Sequence, residues 1–150
     1  MHRVWVYSIG KKDPKPIRAI LEDFVTNAKR FAKIEFVDIY NKKINLSQKE
    51  QAKGAYTQAL LPYLLSDGLN VALHPEGKSM DSFEFATLLQ EPKVAFFIGG
   101  AYGFEEGFLK RCHKVVSLSP LTMSHKVAKI VLAEQIFRGF SIIHNHPYHK

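Results

Sequence analysis

The chain is poor in cysteine, with Cys112 alone among 150 residues. One thiol excludes an internal disulfide framework and suits a reducing cytoplasm. No apolar run approaches the ~20 residues that a helix needs to cross a bilayer. The opening MHRVWVYSIGKKD has too short an apolar piece for a signal peptide, and no small-residue cleavage site follows it. HExxH, a phosphate-binding loop and a Ser-His-Asp signature are missing, which removes the common hydrolase and nucleotidase readings. Acidic residues are scarce as well: 14 Asp and Glu face 21 Lys and Arg, a net charge of +7. Such an excess favours polyanionic partners through long-range attraction and counterion release, although a merely solvated surface can carry it too.

What is present reads as a folded α/β protein. Apolar residues make up 46% and charged residues 23%, which argues against disorder, and residues 1–150 fit one domain without repeat or linker. Val4 to Ile9 is a β-branched and aromatic run closed by Gly10, hence a buried strand. Asp13-Pro14 has the form of a helix cap, and apolar residues at Ile17, Ile20, Leu21, Phe24, Val25, Ala28 and Phe31 predict one buried helix face. Ile34 to Tyr40 predicts a second strand, and NKKIN a polar connection. Ser47 with Glu50 has capping-box spacing for a helix that Pro62 ends, and Asp81 with Glu84 opens another. Strands are expected at Val71 to Leu73, Val94 to Ile98 and Val115 to Leu118, with a short helix near Glu105 to Arg111. The last helix, from Lys126 to Phe140, is apolar on more than one stripe and predicts a dimer interface. Alternation of strands and helices gives a mainly parallel sheet, whose ligands sit at carboxyl ends of strands.

Three such exits stand out. Leu73 runs into His74-Pro75-Glu76-Gly77; Ile98 runs into Gly99-Gly100-Ala101-Tyr102-Gly103; Leu118 runs into Ser119-Pro120-Leu121-Thr122-Met123. Glycines admit a ligand close to the backbone, and the mixed apolar and hydroxyl loop can wrap a flat aromatic ring. A tight turn explains the glycines equally well, and an N-cap at Thr122 or Ser124 explains one hydroxyl. His144, His146 and His149 lack the carboxylate or cysteine neighbours of a metal site, so no metal is expected. Histidine beside tyrosine and lysine suits nucleic-acid contact and proton transfer. Arg111, Lys114, Lys126, Lys129 and Arg138 offer a basic rim.

FFIGGAYGF, SLSPLTMSHKVAKIVLAEQIFRGFSI and NHPYHK, in that order, closely resemble the RlmH family. Its members are small SPOUT-class methyltransferases that modify N3 of a pseudouridine in 23S ribosomal RNA. VYSIGK and LHPEGK extend the likeness over the whole chain. The resemblance implies a trefoil-knotted α/β fold, a homodimer, and S-adenosylmethionine held by Leu73, Gly99, Gly100, Leu118, Ser119, Pro120, Leu121, Thr122 and Met123. Catalysis is expected from Tyr148 and His149, supported by Arg138 and His125, with the tail closing over its own or a partner's pocket. Three positions depart from the family pattern: His74 replaces an acid, Ser124 a proline, and Lys129 an arginine, which lysine does not match in bidentate contacts. Two competing readings remain at this point: a non-catalytic basic module that binds RNA or the ribosome, and a methyltransferase of the same fold acting on transfer RNA.

Overall fold

The computed structural model describes residues 1–46 and 48–150, and of Leu46 and Lys49 only the backbone. Ser47, half of the expected capping pair, lies outside the described residues. Strands β1 (His2–Ile9), β2 (Ala32–Ile39), β3 (Leu69–Ser79), β4 (Lys93–Ile98) and β5 (Lys114–Ser117) form one sheet in the order β2-β1-β4-β3-β5. Every pairing is parallel. Among the described residues six α-helices connect or cover it: α1 (Lys15–Asn27), α2 (Lys42–Leu46), α3 (Lys49–Leu60), α4 (Ser82–Leu88), α5 (Glu106–Arg111) and α6 (His125–Ile143).

Period-2 alternation gives the sheet two apolar faces. Val4, Val6, Val71, Val94 and Phe96 face α1, α4 and α6, whereas Tyr7, Ile9, Ala72, Ala95 and Phe97 face α2, α3 and α5. On α6, Leu132, Ile136 and Phe140 are fully buried, each worth about 1.5–3 kcal/mol of transfer free energy. α4 opens with the expected capping box of Asp81 and Glu84.

Several expectations need correction. Asp13 caps nothing; Pro14 is the N-cap of α1, and Asp13 is buried against Lys129 instead. Lys129 is therefore no part of a basic rim: its Nζ lies 2.7 Å from Asp13 and 2.5 Å from Asp38, with the side chain 3% exposed. The predicted face of α1 is only partly covered, since Leu21 is buried but Ile20 remains 42% exposed. Residues 42–45 of the supposed connection are helical, as part of α2.

β3 does not stop at Leu73. It pairs with β5 through Leu73, loses register between Leu73 and Lys78, then pairs again. The displaced stretch bulges over the sheet edge, and the His74 Nδ1 accepts from the Glu76 N–H at 3.1 Å, as an aspartate would in an Asx turn. His74 thus performs locally what an acid could. Gly77 brings the strand back: a Cβ there would stand 2.8 Å from the backbone of Val115 and Val116.

Candidate active site

The three loops converge. Bulge, glycine loop and the segment before α6 wall a cavity of about 780 Å³ at the carboxyl ends of β3, β4 and β5. Leu73, Gly99, Gly100, Leu118, Ser119, Leu121, Thr122 and Met123 line it, as does His125; Pro120 does not. The sequence reading missed Pro75, Glu76 and Phe104, which also line it. Phe104 carried a signal, being an apolar residue directly after the last glycine.

Each wall has a local cause. Gly103 sits at φ +80 and donates its N–H to the Gly100 carbonyl at 3.0 Å, so the glycine loop closes on itself. In the third loop Ser119 Oγ accepts from the Leu121 N–H, Ser117 Oγ donates to the Ser119 carbonyl, and Ser124 caps α6 by accepting from Val127 N–H. These hydroxyls shape the loop, leaving its backbone and the side chains of Leu118, Leu121 and Met123 for a ligand. Leu121 is 75% exposed at the rim. His125 Nδ1 lies 3.0 Å from the Ile9 carbonyl. A carbonyl only accepts, so Nδ1 carries hydrogen and the neutral ring keeps Nε2 as its acceptor.

Arg138 lies elsewhere, about 20 Å beyond His125 along α6 at ~1.5 Å per residue, and Tyr148 and His149, past the helix end, fold back beside it. None of them lines the cavity of their own chain. They do come together. Asn145 at φ 54 turns the chain off α6, Tyr148 packs edge-on against Phe137, and its hydroxyl donates to Glu134 Oε2 at 2.6 Å. Arg138 bonds the same carboxylate at 2.8 Å, lies over the Tyr148 ring and donates to His149 Nδ1 at 3.0 Å. Glu134 is the residue missed here, although an i,i+4 pair with Arg138 was visible in sequence.

Burial alone would raise the Glu134 pKa, but the bonds from Arg138 and Tyr148 outweigh it and hold the carboxyl below its usual range. The bond to Glu134, then burial, hold the Tyr148 hydroxyl above its own. A depressed carboxylate stabilises above its unfolded pKa of 4.5 and loses that contribution as pH falls through the folded value. A raised phenol stabilises below 10.0 and loses it as pH rises. Tyr148 ring resonances are therefore expected to hold steady between these limits and move toward random-coil positions in acid. Glu134→Gln should remove that acid transition; its persistence in the variant would assign the transition to another group. Cys112 is no nucleophile at neutral pH, because burial pushes its thiol up to about 11.

A cavity walled by glycine-bearing and apolar loops at the carboxyl edge of a parallel sheet defines an α/β protein built to hold a small molecule. The chain belongs to the SPOUT methyltransferase family: the family described as "Predicted SPOUT methyltransferase" matches residues 2–149. It is 60% identical to a Nitratiruptor protein named "Ribosomal RNA large subunit methyltransferase H", each chain covered in full. It is 49% identical to a Wolinella succinogenes protein of the same name over 99% of both. A solved probable methylase family protein from Haemophilus influenzae shares the fold with a TM-score of 0.61, at 14% identity, over 98% of this chain and 70% of that one.

Proposed function

We propose that this chain is an S-adenosylmethionine-dependent methyltransferase of large-subunit ribosomal RNA, acting in the cytoplasm on N3 of a pseudouridine in 23S rRNA of the assembled ribosome. One domain carries the whole activity. The observation behind this is the meeting of Leu73, Gly99, Leu118, Ser119, Leu121, Thr122 and Met123 in one cavity. The names of its relatives and its net charge of +7 point the same way.

The walls suit the cofactor. Leu73, Ile98, Leu118 and Met123 give apolar surface for a flat base, the glycine backbone gives polar edges, and Glu76 places a carboxylate among the lining residues. Bound there, S-adenosylmethionine would supply an electrophilic methyl group on its sulfonium sulfur. His125, one of the lining residues, has its Nδ1 engaged with the Ile9 carbonyl, which leaves Nε2 as the ring nitrogen available to a ligand. His149 and Tyr148 accept or relay the N3 proton, and Arg138 offsets the charge that its loss leaves behind.

A homodimer belongs to this reading. Ile20 and Val127 are 42% and 48% exposed on α1 and α6, which pack together, and Ile17, Ile130 and Val131 beside them are only half-buried. A second copy covering this strip brings its tail to the opposite pocket, which the tail's distance from its own requires. The trefoil knot is part of the same proposal. Its support is the return of α6 from β5, an edge strand, to pack against both α4 and α1.

Calorimetric titration with S-adenosylmethionine and S-adenosylhomocysteine is expected to give up to one site per chain. Ribosomes from a strain lacking the activity should then accept one methyl group each. Absence of cofactor binding both alone and with ribosomes present would leave a bare RNA-binding module.

A further inference from the structure

Tyr56 lies on α3 and is not among the residues lining the cavity. It is 5% exposed, packed with Phe97, Phe104 and Phe108 beneath the sheet. Its ring also occupies the space beside Gly100. A Cβ on residue 100 would stand 2.2 Å from Tyr56 Cζ and 2.4 Å from its hydroxyl oxygen. Burial raises the pKa of its hydroxyl. The phenol ring and its oxygen are thus seated directly against Gly100 of the glycine loop.

We propose that Tyr56 is a positioning residue for the cofactor pocket. Its ring, filling the space beside Gly100, sets how far Gly99 and Gly100 stand into the cavity. A stretch with glycine at 99, 100 and 103 has more backbone freedom than other sequences and would have to be ordered when a ligand binds. A buried aromatic already seated against it makes that ordering part of folding instead, which leaves more of the contact energy for affinity.

The inference rests on reading the cavity as the S-adenosylmethionine site. Tyr56→Leu vacates the space beside Gly100. Cofactor Kd is expected to rise about tenfold as the loop loses its seat. At saturating cofactor, kcat and the KM for ribosomes should stay unchanged, a split that general loosening of the fold would not give. The contact itself is tested by coupling. Gly100→Ala alone should weaken binding sharply, whereas combined with Tyr56→Leu it should cost less than the two separate losses added. Unchanged cofactor affinity in Tyr56→Leu, or additive losses in the pair, overturns the proposal. Failure of the parent protein to bind S-adenosylmethionine overturns the cofactor reading and this inference with it.

Discussion

Lys129→Met is expected to lower folding stability by about 3–5 kcal/mol, read as a fall in the urea midpoint at unchanged slope. The lysine lies between two carboxylates that belong to different parts of the chain, Asp13 after β1 and Asp38 in β2. Asp13 is 5% exposed at its side chain, so without the ammonium its carboxylate is left largely desolvated and unpaired. The cost comes from the charges left behind more than from the bonds lost. Lys129→Met combined with Asp13→Asn should therefore recover part of the loss, because an amide is far cheaper to bury than a carboxylate. A single variant unfolding at the parent midpoint would mean that both carboxylates find solvent without the lysine.

Tyr148→Phe combined with His149→Ala is expected to reduce single-turnover methylation of ribosomes at least ~100-fold, while the cofactor Kd stays at the parent value. Neither residue lines the cavity of its own chain, so binding has no reason to change. Mixed dimers discriminate the two arrangements. A chain with a damaged tail paired with a chain carrying Gly100→Ala should regain turnover if tails serve opposite pockets, since one site then has both parts intact. Continued inactivity of the mixture would place tail and pocket in the same subunit, and normal turnover of the tail variant would remove both residues from the mechanism.

Local chemistry made the pocket readable. Apolar runs ending in Gly99-Gly100, in Leu118-Ser119 and at Leu73 are short-range signals, and parallel topology brings such ends to one edge. Long-range pairing was not readable. Asp13 followed by proline looks like a cap, and nothing near it in sequence announces a lysine 116 residues away. The same limit hid Tyr56, whose period marks a buried helix position but not the loop it meets. β3 misled for another reason: Pro75 and Gly77 are turn residues, yet a sheet edge tolerates a bulge and lets the strand resume. The tail residues were found together, but their place along α6 depended on the length of a helix that the sequence reading ended three residues early.

His125 reaching the Ile9 carbonyl means that the pocket joins chain segments 116 residues apart. During synthesis that interval lasts on the order of ten seconds. Until α6 has been made and has docked, the third wall is absent and Asp13 and Asp38 wait without their lysine. The newborn chain is therefore blind to its methyl donor, and competence arrives in one late step rather than by degrees. Once that step is taken, anything held in the pocket bears on β3, β4 and α6 directly and on β1 through His125, so ligand binding should raise the midpoint for unfolding the whole molecule rather than of one lobe.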